Sequence, residues 1–171
     1  MKAVRRIHPS FLLAALIAVP LAASAQPPAA ILHAPEAQKL LPESVYYAGK
    51  SANTQLRNSA GLKFADNHYV FAVLVDTSGY STAVQEKYQG YLLTEVSLDV
   101  DGKTLPAGAY GIGFVGDHFV VTDIGTHDLL QARAFHDEKV QHPMPLQIMQ
   151  GDAPDRYRLY LGRNFVVLRR P

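Results

Sequence analysis

The chain has no cysteine and no tryptophan among its 171 residues. Without thiols there can be no disulfide scaffold, thiol nucleophile, iron–sulfur cluster or thiolate zinc site. An oxidising compartment permits disulfides without requiring them, so the fold must hold by burial alone. Charge of one sign is also scarce: 16 Lys and Arg stand against 15 Asp and Glu. Three of those basic residues, Lys2, Arg5 and Arg6, lie at the extreme N-terminus, which leaves 13 basic against 15 acidic residues in the rest. A nearly neutral surface gives no electrostatic case for nucleic acid or anionic lipid as a partner. Nor is there an apolar run of membrane-spanning length near the start. Phe11 to Leu21 covers about 11 residues and contains Pro20, against the roughly 20 that cross a bilayer.

That short run has a different reading. A basic start, an apolar stretch and the small-x-small series Ala23-Ser24-Ala25 form the layout of a secretory signal peptide, with cleavage expected before Gln26. No cysteine is present there to carry a lipid anchor. The expected domain plan is therefore a signal peptide over residues 1–25, a Pro/Ala-rich linker over 26–43 and a single β domain over 44–171, placed in the periplasm or secreted. About 146 residues after cleavage suit one domain with a sizeable core. The linker reading rests on Pro27, Pro28, Pro35 and Pro42 and on alanines with little to bury, with at most one helical turn around Glu36 to Leu40.

After Pro42 the pattern changes to short apolar runs separated by turn residues, the spacing of an all-β chain. Tyr69 to Val75 is almost continuously apolar and reads as a strand buried on both faces. Tyr91 to Val100 alternates, with Leu92, Val96, Leu98 and Val100 on one parity and Glu95, Ser97 and Asp99 on the other, which predicts a single half-buried strand. Asp101-Gly102 supplies a tight turn. Further strands are expected at Ala109 to Val115, Phe119 to Ile124, Leu129 to Phe135, Leu146 to Met149, Tyr157 to Leu161 and Phe165 to Leu168. The last is apolar on both parities, which predicts a sheet covered on both sides. Ser81 to Tyr88 fits either a short helix or a strand extension. The fold class is thus all-β, a single antiparallel β-sandwich or small β-barrel of about eight strands, with at most one or two short helices.

The chemistry-bearing motifs are weak. Gly111-Ile112-Gly113-Phe114-Val115-Gly116 matches G-x-G-x-x-G, but a dinucleotide fold needs these glycines to open a helix. The next residues, Asp117 to Val121, favour a strand, so the glycines are expected to relieve crowding on one sheet face. No cofactor is expected apart from a divalent metal as a minor alternative. Asp117-His118, His127-Asp128 and His136-Asp137 put imidazoles beside carboxylates, a ligand set for zinc, iron or manganese. His127, Asp128 and His136 are the candidate metal ligands, although no pair has a spacing that converges locally. Ser81 lies in no nucleophile elbow, because Gly79-Tyr80-Ser81-Thr82-Ala83 lacks the final glycine. Nine tyrosines offer aromatic surface for a ligand, with Tyr88 and Tyr91 around Gly90 and Tyr157 and Tyr160 among Arg156, Arg158 and Arg163 as the candidates. The competing reading of all four is cross-strand packing.

Asp101-Gly102-Lys103-Thr104-Leu105-Pro106-Ala107-Gly108-Ala109-Tyr110 resembles the hairpin and L-x-A-G-x-Y strand opener of uncharacterised secreted bacterial β domains. It is also similar to prealbumin-like and carboxypeptidase-regulatory-like sandwiches. The resemblance covers about ten residues and implies a β-sandwich fold without implying an activity. The leading functional reading is an exported, non-catalytic β domain that binds an envelope protein or a small molecule. The alternatives are a metal-binding, hydrolytic β domain using the Asp and His residues between 117 and 142, and a lipocalin-like carrier with an internal ligand.

Overall fold

The structure is a computed structural model that describes residues 28–171. The signal-peptide reading of residues 1–25 and its cleavage before Gln26 lie outside the described residues. Strands account for 53% and helix for 7%, arranged as two antiparallel sheets with two short helices and no closed barrel. The protein is an all-β sandwich. In chain order the elements are β1 (Ala30–Leu32), α1 (Ala34–Ala37), β2 (Ser44–Tyr47), β3 (Lys50–Lys63), β4 (Tyr69–Val75), α2 (Thr82–Lys87), β5 (Gly90–Thr94), β6 (Leu98–Val100), β7 (Lys103–Leu105), β8 (Gly108–Val115), β9 (His118–Thr122), β10 (Asp128–Arg133), β11 (Phe135–His136), β12 (Leu146–Gln150), β13 (Arg156–Leu161) and β14 (Asn164–Arg169).

The first sheet runs β1-β3-β4-β5-β8-β9-β10, with β2 also paired to β3; the second runs β12-β13-β14-β6-β7, with β11 also paired to β14. The inward residues of both sheets form one core, including Leu62, Val70, Leu92 and Ile112 from the first and Leu98, Leu146, Leu159, Val166 and Leu168 from the second. One tight turn is the Asp101-Gly102 pair the sequence asks for, and a second, at Ala48-Gly49, was not expected. Asp101 and Gly102 take φ of 53° and 77°, and Ala48 and Gly49 take 51° and 77° between β2 and β3, the double positive φ that matches strand twist in two-residue hairpins.

Four expectations change. The alternating stretch Tyr91 to Val100 is two strands, not one. The chain bends at Glu95–Ser97 and crosses from the first sheet to the second, and Thr94 Oγ1 donates to the Val96 carbonyl at 2.6 Å within the bend. Both halves face the same core, so the alternation continues through the crossing. The Pro/Ala-rich stretch over 26–43 is partly built into the sandwich. Ala30–Leu32 pairs with β3 through Ala30↔Lys63 and Leu32↔Gly61, while Ala29 and Ala37 are buried. There are fourteen strands among the described residues instead of about eight. The 14-residue β3 was not expected because most of its residues are polar. Finally, the strand containing Phe165 to Leu168 is covered on one side only: Val166 and Leu168 point into the core, whereas Phe165 and Val167 are half-buried on the outer face.

The outer face of the first sheet is sealed by a second, smaller core of Val45, Tyr47, Ala52, Val75, Tyr80 and Tyr88. Residues 82–87 are helix, the α2 that lies over β8. Two glycines make this possible. A Cβ on Gly111 would come 2.5 Å from the Tyr47 ring, and one on Gly113 would come 2.5 Å from the Lys87 carbonyl oxygen. Gln89 extends the sheet with its side chain: its amide donates to the Phe114 carbonyl at 3.1 Å and accepts the Phe114 N–H at 3.0 Å.

Candidate functional site

The structure separates the three candidate metal ligands. His127 sits in the β9–β10 loop with Nδ1 2.9 Å from Asp123 Oδ2. Asp128 opens β10 and accepts two bonds from Lys87 Nζ, at 2.9 and 2.7 Å. His136 lies in β11 of the other sheet, with Nδ1 2.8 Å from Asn164 Oδ1. The six residues of β10 stand between the two histidines, a strand length of roughly 20 Å, whereas ligands of one ion lie about 2 Å from it. The structure does not bring His136 together with His127 and Asp128, and no group of three or more potential ligands converges among the described residues.

Three of the four candidate tyrosines are packed away. Tyr88 is fully buried and stacks on Tyr47 with centroids 3.6 Å apart, and Tyr80 meets it edge-on at 5.5 Å. Tyr47 Oη and Thr122 Oγ1 are 2.6 Å apart, and Tyr80 Oη donates to the Tyr47 carbonyl at 3.0 Å. The buried Tyr88 hydroxyl has no partner among the described residues, and burial pushes its pKa far above the ordinary phenol value. Tyr157 faces the main core and its hydroxyl accepts the Ala29 N–H. Tyr160 lies on the outer face but is covered, its hydroxyl donating to Asp137 Oδ2 at 3.0 Å. Tyr91 alone is part-exposed, packed against the tyrosine core. The four form no shared platform.

The arginines beside those tyrosines behave differently. Because Tyr157 and Leu159 point inward, Arg156 and Arg158 point outward from β13. The β13–β14 register puts Arg156 directly opposite Arg169 and Arg158 opposite Val167. Asp99 of β6 in turn faces Arg169, and Phe135 of β11 faces Phe165. Asp99, Asp101, Gly102, Phe135, Arg156, Val167 and Arg169 line an open cleft of about 380 Å³. Phe135 and Phe165 stack at 5.3 Å. The Arg133 guanidinium lies 5.2 Å from the Phe135 centroid, and that of Arg158 lies 4.9 Å from Phe165.

Other clefts lack this convergence. One of about 580 Å³ is lined by Glu43 and by residues 53–58 of the irregular part of β3. Another of about 400 Å³ is formed by Pro28 and residues 150–154. Each draws its lining from one or two short stretches of chain, whereas the cleft on the second sheet gathers side chains from β6, the β6–β7 turn, β11, β13 and β14. Sequence reading noticed Arg156 and Arg158 only as neighbours of tyrosines and missed the site itself. Their shared parity was a visible signal; the register that brings Arg169 and Phe135 to them was not.

The acidity shifts among the tyrosines and aspartates of the described residues point away from neutral pH. Burial raises the phenols of Tyr47, Tyr80, Tyr88, Tyr91, Tyr110, Tyr157 and Tyr160. Hydrogen bonds hold Asp66, Asp76 and Asp123 below the ordinary carboxylate value: from Arg170 at Asp66, from Ser78 at Asp76 and from His127 at Asp123. No protein-family model, curated protein or solved structure matches the chain.

Proposed function

We propose that this protein is an exported, non-catalytic binding domain of the cell envelope that takes a small ligand on the outer face of its second sheet. The observation that carries this reading is the cleft of about 380 Å³. Its volume falls within the roughly 300–1,000 Å³ typical of small-molecule sites, and its walls are strand side chains apart from Asp101 and Gly102 in the β6–β7 turn. A site on strands is held more firmly than one on loops. The sandwich interior is filled by large apolar side chains, and the sheets do not close into a barrel. A lipocalin-like internal site therefore has no wall to form it.

The make-up of the cleft favours binding over catalysis. Among the described residues its lining holds no histidine, serine, threonine or lysine. Its guanidiniums do not give up protons, and both of its carboxylates already accept hydrogen bonds. The basic, apolar and small-residue order at the N-terminus supports export. No helix among the described residues is long and apolar enough to cross a membrane.

The test is a small-fragment library screened by amide chemical shifts in 15N-labelled protein. Shifts should cluster at Asp99 to Gly102, Phe135, Arg156, Val167 and Arg169. Shifts confined to other surfaces, or chemical conversion of a bound fragment, would count against this function.

A further inference from the structure

Resting on the reading of this cleft as the binding site, we infer that its ligand is a small organic anion bearing a carboxylate or phosphate group, gripped by Arg156 beside Phe135 and Val167. The class follows from which polar groups of the cleft are already spent. Asp99 has both oxygens engaged: Oδ1 accepts the Gly102 N–H at 2.9 Å and Oδ2 accepts from Arg169 Nη2 at 3.1 Å. Asp101 Oδ2 accepts the Arg133 N–H at 3.2 Å. The acids thus serve the β6–β7 hairpin and its contact with β10.

The donors are not spent. A guanidinium carries five N–H groups. Arg169 gives one to Asp99, and Arg156 gives one to Asp152 at 3.3 Å, with both side chains of that pair about half exposed. Beside the cleft, though not in its lining, Arg133 and Arg158 lie over phenylalanine rings, and a guanidinium stacked in this way keeps in-plane donors available. A surplus of donors calls for a ligand rich in acceptors.

The register adds an independent reason. Arg156 and Arg169 are directly opposed across β13 and β14, and like charges in that position destabilise a sheet. An anion placed between the two would relieve the repulsion, and the planar fork of each fits carboxylate or phosphate oxygens. A neutral sugar fits less well, because it needs a free aromatic face to stack on and the Phe135 ring is already engaged by Phe165 and Arg133.

The experiment titrates the purified protein at low ionic strength with succinate, inorganic phosphate and glucose, following the Nε–Hε signals of Arg156 and Arg169. At least one anion should shift both signals, and added salt should weaken the effect. Succinate alone would point to a carboxylate ligand, phosphate alone to a phosphorylated one, and a response to both to the shared anion chemistry. Arg156→Gln should weaken binding roughly tenfold or more. Arg156→Lys should recover little of it, because the charge returns without the fork. Arg57→Gln, remote on β3, should bind as the parent does. Arg156→Gln should melt close to the parent, since the exposed Asp152 pair it gives up contributes little and a like-charge contact is lost with it, so that lost affinity is not lost fold. A cleft response to glucose with none to either anion would overturn the anion assignment and leave the binding site standing. Silence from all three probes would overturn the assignment, and silence from the fragment library as well would remove the site. Anion binding untouched by Arg156→Gln would also overturn the assignment.

Discussion

β4 and β14 are both apolar on both faces, and the two sheets treat them differently. In β4, Val70 and Ala72 face the main core while Phe71, Val73 and Val75 are buried on the opposite side. Val75 belongs to the tyrosine core that seals that side. In β14, Val166 and Leu168 face the same main core, but Phe165 and Val167 look outward onto a half-open surface bearing Arg156, Arg158 and Arg169. An apolar outer face covered by the chain's own residues belongs to the architecture. An apolar outer face left uncovered and fringed with guanidiniums has contact surface and donors that the fold itself does not use. Aromatic content alone does not separate the two, since tyrosines dominate the sealed side and phenylalanines the open one.

The sharpest way to break the contrast is to prise open the sealed side. In Gly111→Ala the new Cβ would lie 2.5 Å from the Tyr47 ring and 2.7 Å from Thr122 Oγ1. The ring has nowhere to go, because Tyr88 is stacked on it at 3.6 Å. Overpacking of this kind costs about 2–3 kcal/mol, read as a lower urea midpoint at unchanged slope. The anion-binding cleft lies on the other sheet, so its response to the probes should persist in the variant. An unchanged midpoint would mean that the tyrosine core yields easily and does not seal the face.

How far the sequence disclosed this contrast can be followed residue by residue. Gly111 and Gly113 were legible as crowding relief, because a strand followed them where a nucleotide fold needs a helix. Asp101-Gly102 was legible as a turn because few residue pairs accept two positive φ values. The break at Glu95–Ser97 was hidden because Leu92, Val96, Leu98 and Val100 all enter one core; a period of two records which face is buried, and it is silent on which sheet a strand joins. The docking of residues 29–37 was hidden because alanine buries well where space is small, as Ala37 does, yet adds little hydrophobicity to a sequence window. The cleft was least visible. Asp99, Phe135, Arg156 and Arg169 come from four separate strands, and only the pairing register makes them neighbours. His136, close in sequence to His127 and Asp128, is held apart from them by β10.

A milder perturbation improves the sealed side. The buried Tyr88 hydroxyl lacks a hydrogen-bond partner among the described residues, and an unsatisfied buried polar group costs about 1–3 kcal/mol. Tyr88→Phe keeps the stacked ring and deletes that cost, so the variant should be more stable than the parent by about 1 kcal/mol in urea denaturation. A loss of stability would show that the hydroxyl is solvated by a water within the tyrosine core. Either sign leaves the second sheet's cleft intact, which separates the two faces again.

The smallest effect belongs to the tie between the sheets. Asp66, in the β3–β4 turn of the first sheet, accepts two bonds from Arg170, just past β14 of the second, at 2.9 and 2.7 Å. Those bonds, aided by His68, hold its carboxyl well below the ordinary carboxylate value. The folded protein therefore binds this proton less readily than the unfolded chain. Above the unfolded value of about 3.9, both states are ionised and the full stabilisation is present. As pH falls through that value the unfolded chain takes up its proton first, and the contribution fades until the folded carboxyl protonates too. Both partners touch solvent, which screens the pair and keeps its effect modest. Asp66→Asn should thus lower the urea midpoint slightly at neutral pH, and its curve should meet that of the parent as pH drops below about 4. Two curves that stay parallel through that range would mean that the ion pair does not join the sheets, and that the shared core alone holds the sealed half to the open one.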